Sequence, residues 1–146
     1  MPTPSSIRFE PGVTERLAAY VTRHPGWTRS SAAAQLVDEG LRMEEHPGIF
    51  FRHGPAGRRA SVIGGPDVWE VIRSVASSRS AEPELGRAEL VDLVEENTGT
   101  PGRLVRLALA YWAAYPDEVD ALVAQAERLE QDTLRAAEKT ARLLGP

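Results

Sequence analysis

The chain contains no cysteine, which removes disulfides and thiolate metal sites from the account. A cysteine nucleophile is excluded with them. Lysine is almost missing too: Lys139 stands alone against sixteen arginines. With the abundant alanine, that bias reflects the codons of a GC-rich genome and carries no functional meaning. Histidine is sparse, and His24, His46 and His53 have no carboxylate or second histidine at ligand spacing, so no metal site is expected. There is no glycine-rich phosphate loop, since Gly64-Gly65 runs into Pro66 without the lysine such a loop requires. The serines lie in caps and loops with no histidine base nearby in sequence, and paired acids such as Glu95-Glu96 read as solvated helix faces. Neither a cofactor nor enzymatic activity is expected. The longest apolar runs are far too short to cross a bilayer, and MPTPSS lacks a basic-then-apolar signal pattern. No membrane association and a cytoplasmic bacterial location are therefore expected.

What is present is ordinary in bulk and uneven in distribution. Hydrophobic residues make up 42% and charged residues 26% of 146 positions, in the range of soluble globular chains and enough for one domain or two small ones. The net charge of −4 opposes simple nucleic-acid binding. Residues 1–64, however, hold eight arginines against six acids, for +2, and residues 65–146 hold nine bases against fifteen acids, for −6. DNA would be met by the first half and repelled by the second.

The organising stretch runs from Ser5 to Glu45. Ser5 to Phe9 alternates, with Ile7 and Phe9 on one side and Ser6 and Arg8 on the other, which predicts a strand. No partner strand follows for about forty residues, so its backbone groups call for the same strand of a second copy, paired antiparallel across a two-fold axis. After Pro11-Gly12, a helix with Val13, Leu17, Tyr20 and Val21 on one face stops at His24-Pro25-Gly26. Trp27 is expected to pack back like a staple residue beside Thr28, the N-cap of a second helix. That helix aligns Ala33, Leu36, Val37, Gly40 and Leu41 on one stripe. These apolar residues are too few for a core from one copy, and a homodimer is the expected remedy.

The strand IRF, the turn EPG, the helix VTERLAAYVTRH, the connection PGW and the helix TRSSAAAQLVDEGLR resemble a ribbon-helix-helix domain. The fold occurs in small bacterial repressors and in many antitoxins. The resemblance implies that Pro4, Ser6 and Arg8 face base edges, and that Thr28, Arg29 and Ser30 hold a backbone phosphate. Chemistry agrees with these roles. Arg8 suits a bidentate contact to guanine, Ser6 a contact to several bases, and a helix N-terminus suits an anion. Pro4 departs from the pattern, having no N–H and no polar side chain to offer.

Beyond residue 46, Ile49 to Phe51 and Ala60 to Ile63 predict a β-hairpin about the turn GPAGRR. Asp67 is expected to cap a helix VWEVIRSVA, followed by a polar loop from Ser77 to Glu84. Two helices follow around Thr98-Gly99-Thr100, the later one starting at Pro101, in a helix-turn-helix arrangement. Arg103 and Arg106 near its start, and Arg58 and Arg59 on the hairpin tip, are secondary candidates for DNA contact. The apolar content of LVRLALAYW favours packing for that helix. HPGIFFRHGPAGRRASVIGGPDVWEVI with the later LALAYWAAYPDEVDA is similar to a small domain of VapB-class antitoxins, over about residues 46–122. That resemblance implies a toxin partner related to PIN-domain ribonucleases.

From Asp117 to Leu144 a long helix is predicted, with Leu122, Ala126, Leu129, Thr133, Ala136, Thr140 and Leu143 at heptad-like spacing. Such an underfilled seam fits either a partner, held through Leu122, Leu129 and Leu143, or packing on the chain's own domain. The expected fold is mainly α with short strands, an α+β class. A ribbon-helix-helix dimerisation domain spans residues 1–46, a hairpin with helix-turn-helix-like helices 47–116, and a C-terminal helix 117–146. The expected function is a DNA-binding repressor that reads a double-stranded operator and acts as the antitoxin of a toxin–antitoxin pair. Two alternatives stay open: a stand-alone dimeric transcription regulator, and a protein-binding adaptor with no DNA role.

Overall fold

A computed structural model describes all residues from Met1 to Pro146. Six helices and one antiparallel hairpin succeed one another as α1 (Pro11–Arg23), α2 (Arg29–Glu45), β1 (Ile49–Gly54), β2 (Gly57–Val62), α3 (Val68–Ala81), α4 (Arg87–Thr98), α5 (Gly102–Ala114) and α6 (Pro116–Leu144). The α+β class expected from the sequence is therefore found. No helix is long and apolar enough to cross a membrane. The chain divides into two compact units, Met1–Glu44 and Glu45–Pro146.

The first unit consists of α1, most of α2 and a ten-residue lead. The sequence predicts a strand at Ser5–Phe9, but residues 1–10 form no regular element in the single chain. The reason is local: a strand exists by its ladder, and this sheet-free unit offers no neighbour to complete one. Pro11 sits in the first turn of α1, where its missing N–H costs nothing.

The second unit holds the core. Ile49 pairs with Val62 and Phe51 with Ala60, so the period-two alternation puts these four residues on one face. That face meets Val68, Val71 and Ile72 of α3, Val91 and Val94 of α4, Leu104, Val105, Ala108 and Tyr111 of α5, and Val119 of α6. The hairpin turns at Pro55-Ala56; Pro55 fixes a negative φ, and the positive φ of 101° falls on Gly57.

Three boundaries differ from expectation. α3 runs through Ser77 to Ala81, where a polar loop is predicted from composition. Ser78 is buried there, and the Arg79 guanidinium draws in the following turn by donating to the carbonyls of Pro83 at 3.1 Å and Leu85 at 2.8 Å. α5 starts at Gly102, with Pro101 rather than Thr100 at its N-cap. α6 is no separate segment: Val119 is core, Leu122 to Ala124 and Ala126 are half-buried, and every residue from Glu127 onward is exposed.

A buried carboxylate ties the hairpin to α3. The Asp67 side chain is 3% exposed. It accepts from Arg52 (Nε at 2.9 Å, Nη2 at 2.5 Å), from Arg59 Nε, from Ser61 Oγ at 2.5 Å and from Trp69 Nε1 at 3.3 Å. Its own N–H donates to Glu70 at 2.8 Å, which fixes the first turn of α3. Burial pushes the Asp67 carboxyl up, but the hydrogen bonds from Ser61, Arg59 and Arg52 outweigh it and hold it below the ordinary value.

Replacing Asp67 by Asn leaves two guanidinium groups without their anion and is expected to cost about 3 kcal/mol. Because the folded value lies below the unfolded value of about 3.9, the carboxylate's contribution is complete above that pH. It is lost as pH falls through the folded value. Thermal melts of both proteins should therefore differ fully at pH 7 and begin to converge only as pH falls below about 4; a constant gap would assign the loss to shape rather than charge.

Candidate nucleic-acid interface

The first unit buries almost nothing. Ala32 is its one buried apolar side chain, and Glu39, bonded to Gln35 Nε2 at 2.9 Å, its one buried charged one. Ile7 is 62% exposed, Val37 48% and Leu41 58%, and Phe9, Val13 and Met43 are exposed with them. Ile7, Phe9, Val13 and Val37 do not scatter. A groove of about 530 Å³ is walled by Thr3, Ser5, Ile7 and Phe9 on one side and by Leu17, Ala33, Ala34 and Val37 on the other. A second, of about 490 Å³, runs between Phe9, Val13, Leu17 and Tyr20 of α1's side and Leu36 and Val37 of α2, with Arg16 and Arg23 on its lining.

The odd-numbered residues of the lead line the first groove, and Pro4, Ser6 and Arg8 do not. All three are exposed. The alternation expected of a strand is thus kept even where no ladder forms: apolar side chains turn to the helices and Arg8 stays outside. Arg29 and Ser30 line the same groove, so the α2 N-terminus lies beside the lead.

That N-terminus is closed by a reciprocal cap. Ser31 N–H donates to Thr28 Oγ1 at 3.1 Å, and Thr28 N–H donates to Ser31 Oγ at 2.9 Å. The Thr28 hydroxyl also donates to Ser31 Oγ at 3.0 Å, so its capacity goes to the cap. Of the three expected phosphate ligands, Arg29 and Ser30 keep exposed side chains at the positive end of α2 and Thr28 shapes the turn beneath them. Trp27 packs edge-on to Tyr20, ring centroids 6.3 Å apart, which fixes the α1–α2 corner.

The secondary candidates fare differently. Arg58 Nη1 lies 2.9 Å from His53 Nε2, and the Arg59 side chain, 17% exposed, is committed to Asp67. Arg103 and Arg106 lie exposed on the outer side of α5. α4, the left-handed Gly99 and α5 do form helix, turn and helix. Yet Gly102 N–H, at the start of α5, donates to Glu95 Oε2 at 2.8 Å. A carboxylate already occupies the place where a phosphate would be drawn, and it would repel one. Leu122 is half-buried on α6, Leu129 is 61% exposed and Leu143 88%.

The Asp67 cluster escapes sequence reading, although a signal for it exists. The sequence reading leaves Arg58 and Arg59 in the turn, whereas the ladder runs on to Gly54 and Gly57 and sets Arg52 directly opposite Arg59. Like charges so placed are destabilising unless an anion sits between them, and Asp67, just beyond the hairpin, is the nearest acid in sequence after β2. Comparison with family models, curated proteins and solved structures yields no match for this chain.

A charge placed at Val37 tests whether the grooved face is free or covered. On a free surface Val37→Glu would change stability by no more than about 0.5 kcal/mol. The expected outcome is a much larger loss, with dissociation to monomer in sedimentation and a drop in helical circular dichroism.

Proposed function

We propose that the chain is a dimeric DNA-binding transcriptional repressor, the antitoxin of a toxin–antitoxin pair. The first unit binds the operator and the second unit binds the toxin. One observation carries the first part: Ile7, Phe9, Leu17 and Val37 line open grooves, while Ser6 and Arg8 of the lead stay exposed outside them, with Arg29 and Ser30 alongside. A second copy pairing with the lead would complete a two-stranded ribbon, cover Ile7, Phe9 and Val37, and present Ser6 and Arg8 outward twice. A ribbon of that width enters the major groove of B-DNA, where Arg8 can take guanine O6 and N7 and Ser6 a neighbouring base. Arg29 and Ser30 then clamp a phosphate at the α2 N-terminus. Pro4 contributes shape at the ribbon's end.

For the second unit, the support is the exposed half of α6, which carries Leu129, Leu134, Leu143 and Leu144 into solvent. The toxin class, a PIN-like ribonuclease, rests on the similarity of residues 46–122 to VapB-class antitoxins.

The test is binding to the DNA that precedes the chain's own coding sequence. Arg8→Ala is expected to weaken that complex by about 1–3 kcal/mol and to leave binding to random DNA nearly unchanged. Arg29→Ala should weaken both and lower the slope of log K against log salt by about one. Equal losses on both DNAs for Arg8→Ala would remove the base-reading role.

Truncation separates the two units' tasks. Because Val119 is core, removing residues 117–146 would unfold the second unit, whereas ending the chain after Ala126 removes exposed residues alone. The shorter deletion should leave operator affinity within about tenfold and abolish capture of a co-encoded toxin; retained capture would move the toxin site off α6.

A further inference from the structure

We infer that, in the protein free of other partners, the exposed half of α6 pairs antiparallel with the same segment of a second copy, setting Leu143 of each helix against Leu129 of the other. The inference is independent of the DNA and toxin reading.

It begins from burial. Every residue from Glu127 to Pro146 is exposed, while the helix continues unbroken to Leu144. Beyond the ion pair of Glu130 with Arg73 such an extension gains little from tertiary packing, and isolated helices of such length are marginal in water. One seam recurs along it, Leu129, Thr133, Ala136, Thr140 and Leu143, at alternating spacings of four and three, with Leu134 off its line. The two threonines enter that seam without a polar penalty. Their hydroxyls donate to carbonyls of their own helix, Thr133 to Leu129 at 2.8 Å and Thr140 to Ala136 at 3.0 Å.

Charge fixes the occupant and its direction. Residues 127–133 carry Glu127, Glu130 and Asp132 against Arg128, a net −2. Arg73 of α3 pairs with Glu130 and reduces this to −1 without changing its sign. Residues 134–144 carry Arg135, Lys139 and Arg142 against Glu138, a net +2. A parallel pair would set like on like along both halves; an antiparallel pair sets opposite signs together twice. Spacing agrees. Leu129 and Leu143 lie seven residues either side of Ala136, about 10.5 Å each way at 1.5 Å per residue. A two-fold axis at the small Ala136 therefore brings the leucines together.

The far end of the seam has a prepared surface. Leu129, Ala126 and Leu122 border a groove of about 320 Å³ whose other apolar walls are Trp69, Pro55 and Ala56. Leu143 and Leu144 of the second copy would enter it. The seam's continuity with this groove makes the pairing more than a bare helix contact.

The absence of native cysteine makes the test direct. Leu129→Cys and Leu143→Cys are prepared in the full chain, each at an exposed position, and oxidised separately and as a mixture. A disulfide needs Cα atoms within about 7 Å, and like variants in the antiparallel pair are about 21 Å apart. Cross-linked chains are expected in the mixture and absent from either variant alone. Ala136→Cys, at the axis, should cross-link by itself. Links between like variants at 129 or 143 would show a parallel pair and overturn the inference. No link in the mixture would overturn it too, and an unlinked Ala136→Cys would further show that α6 does not self-associate.

Discussion

The first unit depends on a cover that its own chain does not supply. Ordering a residue's backbone costs roughly 1–2 kcal/mol, and in this unit Ala32 alone among the apolar side chains is fully buried in return. α1 has thirteen residues, a length at which an isolated helix is marginal. The missing burial is concentrated where Ile7, Phe9, Leu17 and Val37 meet, so one added surface would satisfy all of them. Assembly and recognition are coupled here by the period of an extended chain. Ile7 and Phe9 turn inward to the helices by the same alternation that leaves Ser6 and Arg8 outside, and neither set can move to the other face alone. If the lead reads DNA, it does so because the cover holds it in register.

The second unit has the opposite balance: a full apolar core and one costly polar site within it. Asp67 is tolerable because four side chains donate to it, two of them guanidinium groups. The arrangement explains why Arg59 is a poor candidate for nucleic acid. Arg59 is spent on Asp67, and Arg52 shares it. α4 and α5 carry the same lesson in another form. They reproduce a helix-turn-helix outline, but Glu95 fills the anion position at the head of α5. Outline and function part company at a single carboxylate.

Local chemistry was legible in the sequence and distant chemistry was not. The turn at Pro55, the Thr28 cap and the glycine closing α4 are each set by residues within a few positions, and each lies where composition puts it. Ser77 to Ala81 misled because serine's weak helix preference suggests a loop, while the structure keeps the helix through the burial of Ser78 and the grip of Arg79 on Pro83 and Leu85. Three of the four side chains that donate to Asp67 lie six, eight and fifteen positions away in sequence and become visible only once the hairpin register is known. The predicted strand is a different case: its alternation is present, and the ladder that would make it a strand lies outside one chain. α6 was cut from its domain because its heptad pattern runs evenly through Leu122 and Leu143, and periodicity does not distinguish a packed turn from an exposed one.

That even seam bears on how α6 would serve two occupants. Its root is core and its end is bare, so the exposed half is presented from a fixed base without a hinge. Thr and Ala at the middle positions bury little, which limits how tightly two copies can hold each other there. On the proposed reading, a toxin arriving at the same leucines would first have to displace the second copy, and its apparent affinity would fall by the fraction of chains left unpaired. A leucine-filled seam would make that fraction very small and the exchange correspondingly hard. Under that proposal the small residues at Thr133, Ala136 and Thr140 have a role beyond weak packing: they would keep the homotypic pair loose enough to be exchanged for a partner with a larger apolar surface.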